Sequence, residues 1–239
     1  MRPVFPKTVG VMALLLLGAA CRNVKDRLSG FPALVLCTED EPDDLRFIEP
    51  NQAGVAYLAK TIYLQDGKIS PVPRAQPLQV GPNVRLIAVV RIEHMGGEPA
   101  EPGGVSNEIA AVLSKSQVRA LQIDFAAADK DRDFYANLLQ DIHQRVPPSV
   151  PVEITADVSW CGANSWLKGL PITAAVPLFY RGGNLAQKQA FAEPLCRSAI
   201  GIASDQATLP LPEHRRVFVF QPQPWTQADY ERVRKALGM

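Results

Sequence analysis

Three carboxylates stand where short apolar runs would deliver them to chemistry: Asp124, Glu93 and Asp205. A carboxylate that closes an apolar strand is costly to bury without a purpose or a partner. Asp124 is the clearest case. In Ala120-Leu-Gln-Ile-Asp-Phe125, the two-residue period of a strand puts Gln122 and Asp124 on one face and Ile123 and Phe125 on the other. At the ends of other candidate strands lie amides (Gln221, Gln223), a cation (Arg181) and indoles (Trp160, Trp225). Such groups suit a carbohydrate. Sugar hydroxyls take polar partners, sugar C–H faces stack on aromatics, and cleaving a glycosidic bond needs a carboxyl group on each side of it. The expected catalytic carboxyls are Asp124 with Glu93 or Asp205. The expected substrate-binding groups are Gln122, Trp160, Arg181, Gln221 and Trp225.

Each of these residues also has a plainer reading. Asp124 pairs with an arginine such as Arg91 or Arg181. Glu93 has Arg91 and His94 close by in sequence. Asp205 caps a loop turn, and the two tryptophans pack the rim of the fold. The acidic run Glu39, Asp40, Glu41, Asp43 and Asp44 is solvated surface.

Other chemistries lack their motifs. There is no C-x-x-C or His/Cys cluster to hold a structural metal. There is no nucleophile elbow, Walker loop or dinucleotide fingerprint, and Arg181-Gly-Gly-Asn184 has the wrong spacing to cradle phosphate. No cofactor is expected. His94, His143 and His214 are scattered, and the last two read as surface residues. Lys and Arg number 25 against 24 Asp and Glu, so no basic patch marks nucleic acid as a partner.

The elements that must position these residues are short apolar strands separated by helical patterns. Eight strand candidates begin at Pro32, Gly54, Val84, Ala120, Val152, Ala174, Ser198 and Arg216, ending at Cys37, Tyr63, Ile92, Phe125, Ser159, Tyr180, Ala203 and Phe220. Helices are expected over 107–118, 131–146 and 184–195. A last helix follows Thr226, its N-cap, with Tyr230, Val233 and Leu237 on its apolar stripe and Gly238 as its stop. Pro71 to Pro82 reads as a proline-punctuated loop. Eight strands alternating with helices predict an α/β fold, a (β/α)8 TIM-type barrel, irregular because the seventh helix is degenerate between Asp205 and His214. The runner-up is an open parallel sheet. In a barrel, the working residues gather at the C-terminal ends of the strands.

The N-terminus reads as a targeting segment. Lys7 supplies a positive n-region, Val9 to Leu17 an apolar run too short to span a bilayer, and Gly18 to Ala20 the small residues before a cleavage site. Leu17-Gly-Ala-Ala-Cys21 resembles a bacterial lipobox, with Gly18 where Leu is usual. The expected division is a signal peptide over 1–20, a tether over 21–30 and one barrel domain over 31–239. Cys21 would carry lipid, and the protein would be exported to the cell envelope, lipid-anchored or periplasmic. In that oxidising compartment a disulfide is permitted, and Cys161–Cys196 is the favoured pair among the remaining cysteines.

Several segments together resemble a known family. They are Leu121-Gln-Ile-Asp-Phe125, Asp133-Phe-Tyr135, Ile154-Thr-Ala156, Ser159-Trp-Cys161, Val176-Pro-Leu-Phe-Tyr-Arg181, Cys196 and Val217-Phe-Val-Phe-Gln-Pro-Gln-Pro-Trp225. The resemblance is to a numbered family of bacterial domains of unknown function, number 3142. It covers most of the chain after the signal segment and is clearest from Leu121 onward. It implies an exported or lipid-anchored protein with a glycosidase-like barrel and no established activity. Relatives often carry Gln-Ile-Asp, then an aromatic or His, then a second Asp. Ala126 occupies that last position here, which weakens the enzyme reading. Two functions remain open: a glycoside hydrolase, or a non-catalytic envelope lipoprotein that binds a glycan or a protein partner.

Overall fold

The computed structural model describes residues 28, 30–98, 100–114, 117–181, 191–208, 211 and 215–239. Residues 1–27, which hold the expected signal peptide and Cys21, and His214 lie outside the described residues.

The eight candidate strands all form, in parallel, and they curl into a nearly closed barrel. They are β1 (Leu34–Thr38), β3 (Ala53–Gln65), β6 (Leu86–Gly96), β7 (Val118–Phe125), β8 (Val152–Ala156), β9 (Ala174–Pro177), β10 (Ala199–Ala203) and β11 (Arg216–Phe220). Their order is β10-β11-β1-β3-β6-β7-β8-β9, and a parallel bridge from Leu178 to Gly201 brings the last strand back to the first. Alternate residues face the barrel axis. Val35, Cys37, Ala56, Leu58, Ile87, Val89, Ala120, Val176, Ala199 and Phe218 pack there as one buried cluster. Leu28 and Phe31 join that cluster from the N-terminal side and floor the barrel. Gly201 is needed where Leu178 and Phe220 fill the interior, because a Cβ there would meet the Leu178 side chain at 2.5 Å. The opposite strand faces, including Leu34, Leu36, Val55, Tyr57, Ile123 and Ile154, belong to a larger outer core.

The outer layer departs from a (β/α)8 barrel. Among the described residues three α-helices occur: α1 (Pro102–Ala110), α2 (Arg132–Arg145) and α3 (Gln227–Ala236). Helix α2 matches its expected span and puts Tyr135, Leu138, Leu139 and Ile142 against the sheet. Helix α3 begins at the expected cap, where the Thr226 hydroxyl accepts from the Asp229 N–H. Helix α1 starts earlier than the apolar spacing implies. Pro102 sits in its first turn, where no N–H is required, and the chain tightens into a 3-10 turn over Ala111–Ser114. Residues 191–195 are not α-helical, and Pro194 instead opens a 3-10 turn, Pro194–Cys196. The rest of that expected helix lies outside the described residues. The fifth strand ends at Ala156, short of the expected Ser159, and Ser159 lies with Trp160 in a 3-10 turn, Val158–Cys161, that Asp157 caps.

The segment expected as a proline-punctuated loop is largely strand. β4 (Lys68–Pro73) runs antiparallel to β3, and β5 (Leu78–Val80) pairs with β2 (Asp43–Leu45) in a separate small sheet. Prolines are tolerated in β4 because it is an edge. Pro71 and Pro73 are two residues apart, so both rings replace N–H groups on the open side, while the Arg74 N–H still donates to Ala59 at 3.0 Å. Asp66 and Gly67, both with positive φ, make the two-residue turn between β3 and β4.

One disulfide closes the barrel wall. Cys161 and Cys196 are bonded with their Cα atoms 5.8 Å apart, as the sequence leads one to expect. Cys37 is a buried free thiol. None of the described helices is long and apolar enough to cross a membrane.

Candidate functional site

Asp124 and Phe125 take opposite faces of β7, as the two-residue period of a strand predicts. Phe125 points outward and packs edge-on against Phe134 and Tyr135 of α2. Asp124 therefore points into the C-terminal mouth of the barrel, where it is 5% exposed. Registered neighbours of parallel strands share a face, so Arg91 of β6 lies beside Asp124 of β7.

Asp124 is saturated with donors. Arg91 Nε donates to Oδ2 at 3.0 Å and Thr155 Oγ1 to Oδ1 at 2.8 Å. Arg181 adds longer bonds, from Nη1 to Oδ1 at 3.3 Å and from Nη2 to Oδ2 at 3.5 Å. A carboxylate offers about four lone-pair sites, and all are engaged. Burial alone would raise the Asp124 pKa, but Arg181, Arg91 and the Thr155 hydroxyl outweigh it and hold the carboxyl below its ordinary value.

The network continues outward. Arg91 turns its two remaining nitrogens to Glu39, Nη1 to Oε2 at 2.7 Å and Nη2 to Oε1 at 2.8 Å. This bidentate pair fixes the guanidinium plane. Burial disfavours the Arg91 charge, and Glu39 and Asp124 more than restore it. Both arginines named as the plainer partners of Asp124 are thus used together.

Glu39 follows β1 at the barrel mouth, as its place after the first strand implies, but it is clamped by Arg91 and is not part of a freely solvated acidic run. The acidic run is not simply solvated. Asp43 is buried and pairs with Arg74 at 3.1 Å, and Asp40 accepts from the N–H groups of Ala75 and Gln76. Arg74 also donates to the carbonyls of Glu39 and Glu41. No spacing rule pairs residue 39 with 91, because the contact arises from barrel closure.

Two clefts flank Arg181. One, of about 540 Å³, is lined by Cys37, Glu39, Arg91, Glu93, Tyr180, Arg181 and Gln221 among others. The other, of about 210 Å³, is lined by Ala126, Thr155, Asp157, Trp160 and Arg181 with their neighbours. The mouth therefore gathers Glu93, Arg181 and Gln221 in one cleft and Trp160 in the other. Gln122 is buried inside the barrel below Asp124, its Nε2 without a partner among the described residues. Asp205 is exposed in the 3-10 turn after β10 and lines neither cleft.

The tryptophans do not form an open stacking pair. Trp225 is 4% exposed and its Nε1 donates to the Cys37 carbonyl at 2.9 Å. That bond ties the loop after β11 to β1. Trp160 is buried against Trp166, with ring centroids 5.1 Å apart, and lines the smaller cleft. His94 of β6 contacts Asp131 at the start of α2, Nδ1 to Oδ1 at 2.9 Å, and belongs to the helix–sheet contact. His143 is exposed. Among the described residues, no group of three or more His, Cys, Asp or Glu is placed to hold a metal ion.

Fold and site together define a class: a parallel eight-stranded barrel whose C-terminal mouth is an ion-paired cleft. No family model, curated protein or solved structure matches the chain.

Proposed function

We propose that this is an exported barrel protein that binds a carbohydrate at its C-terminal mouth without cleaving it. The polar lining of the larger cleft, Glu93, Arg181 and Gln221 beside Tyr180, supports a sugar ligand, and the four donors on Asp124 argue against cleavage. A glycosidase nucleophile needs a free lone pair, and a glycosidase acid needs a raised pKa and a proton to give. Asp124 has neither. Glu39 is clamped by Arg91, which leaves Glu93 as the cleft carboxylate with no such clamp. Asp157, the other carboxylate at the mouth, lines the separate smaller cleft and accepts the Ser159 N–H as the cap of a 3-10 turn, so neither cleft presents two unclamped carboxyls for the two roles that hydrolysis requires. Ala126, at the position where the resembled family carries a second Asp, points the same way. The same reading treats the fold as a TIM-type barrel that has shed helices, in keeping with that family.

Calorimetry with hexasaccharides of β-linked glucose, β-linked N-acetylglucosamine and α-linked mannose tests the proposal. Binding to at least one, with no new reducing ends after prolonged incubation, is the expected result. Release of reducing ends would make the protein a hydrolase. No binding to any of the three would remove the carbohydrate reading.

The proposal includes lipidation at Cys21. Leu28, on the barrel floor, lies seven positions after Cys21, a reach of at most about 25 Å. A lipid there would hold the floor near the membrane and turn the mouth away from it, toward a glycan. Cys21→Ser is expected to move the protein from the membrane fraction to the soluble fraction. A mutant that still sediments with membranes would show that the anchor lies elsewhere.

A further inference from the structure

We infer that the glycan site does not end at the cleft but continues onto a sheet platform made by β3, β4 and β6, with Tyr63 as its stacking residue. This rests on the carbohydrate reading above and adds to it a second, separable subsite.

Two strands of the barrel are too long for it. β7 ends at Phe125, level with Ile92 of β6. β6 runs on to Gly96, paired with β3 as far as Gln65, and β4 joins from the other side. This three-stranded extension therefore rises beyond the rim. Its outer face is spoken for: Ile62 and Leu64 are buried, Ile69 packs against the core, and Lys60 pairs with Glu108 of α1 at 2.7 Å.

The inner face carries other residues. A register shift at Ala59 between Leu58 and Lys60 reverses which β3 residues face the axis. Leu58 faces it below the shift, and Thr61, Tyr63 and Gln65 face it above. Register then fixes the rows. Val72, Thr61, Arg91 and Asp124 form one row, and Ser70, Tyr63 and Glu93 form the next. The first row contains the cleft's ion pair, and Glu93 lines the cleft itself. The platform is thus continuous with the mouth.

Tyr63 is 40% exposed and Val72 49%; in register beside Tyr63 stand Ser70 and Glu93, and Thr61 and Gln65 lie two residues away on the same face of β3. An exposed ring flanked in register by a hydroxyl and a carboxylate suits the C–H face and hydroxyl edge of a sugar. The open edge of β4 argues against a protein strand as the occupant. Pro71 and Pro73 have removed the donors that a further strand would need. From Thr61 to Gln65 the platform runs about 13 Å along β3, so it would take additional units of a chain whose first units lie in the cleft.

The test compares di- and hexasaccharides of the three glycans above on wild type, Tyr63→Ala and Tyr63→Phe. Wild type is expected to bind a hexasaccharide at least tenfold more tightly than the matching disaccharide. Tyr63→Ala should abolish that difference and leave disaccharide affinity unchanged, while Tyr63→Phe, which keeps the ring, should retain it. If wild type binds hexasaccharide and Tyr63→Ala binds it equally well, the platform is refuted and the cleft reading survives. If wild type binds none of the sugars, both fall. A loss of self-association in Tyr63→Ala, seen by analytical ultracentrifugation with glycan affinity intact, would assign the face to a second copy of the chain and overturn the inference.

Discussion

Asp124→Asn is expected to lower the melting temperature by about 6–12 °C. The substitution keeps the shape of the side chain and removes its charge. Arg91 and Arg181 would then face an amide that accepts through one oxygen and turns N–H groups toward theirs. Breaking a buried pair by removing one partner costs about 3–5 kcal/mol. Arg181 is 39% exposed at its side chain, so water screens its share, and the lower figure of about 3 kcal/mol applies. For a chain of this size each kcal/mol is worth roughly 2–4 °C. The pH dependence has a definite sign. The folded carboxyl titrates below its ordinary value, so its contribution is present above the unfolded pKa of about 3.9 and is lost as pH falls through the folded value. The melting-temperature gap between wild type and Asp124→Asn should therefore be full at pH 7 and shrink below about pH 4. An unchanged melting temperature at pH 7, with loss of glycan turnover, would return Asp124 to a catalytic role and defeat the binding reading.

What the sequence revealed follows from which interactions are local. The eight barrel strands were legible because each is an apolar run of strand length, and burial on both faces leaves little ambiguity about type. The facing of Asp124 and Phe125 was legible because a two-residue period needs only one anchored side chain. The cap at Thr226 needs contacts three residues apart. What escaped is non-local or depends on geometry that accumulates along the chain. The clamp of Arg91 on Glu39 joins residues that meet only when the barrel curls. The β3–β4 hairpin did leave a local signal, Asp66-Gly67 between two alternating segments, but the prolines of β4 argue for a loop unless the strand is known to be an edge. The register shift at Ala59 turns Tyr63 toward the mouth, and no residue type announces it. The tryptophans read equally as sugar-stacking groups, because their types suit sugars, and as packing for the rim. Burial decides for the rim, since an indole whose N–H is spent on the Cys37 carbonyl is part of the wall.

Replacing both Cys161 and Cys196 by serine is expected to destabilise the protein by about 4 kcal/mol. The two half-cystines are 35 residues apart. In the chain-entropy model, a cross-link over a loop of that length removes roughly 4 kcal/mol of freedom from the unfolded chain. The local architecture makes the loss matter. The disulfide joins the turn after β8 to the turn before β10, and β9 lies between them. That is also the part of the wall where closure is weakest, a single bridge between Leu178 and Gly201. Beside it, the Glu193 N–H donates to the Cys161 carbonyl at 3.2 Å, and the Glu193 side chain holds the Leu195 N–H. These bonds keep the two turns adjacent once the cross-link has set their distance. Arg181 follows β9 directly, so a looser β9 also loosens one donor to Asp124 and a wall shared by both clefts. Denaturant unfolding of the double mutant should show a lower midpoint with a slightly larger slope, because the unlinked chain expands further. Reducing agent should shift wild type toward the mutant curve and leave the mutant unmoved. Coincident curves for mutant and non-reduced wild type would mean that the cross-link contributes nothing to the barrel, and closure would then have to rest on the β9–β10 contact alone.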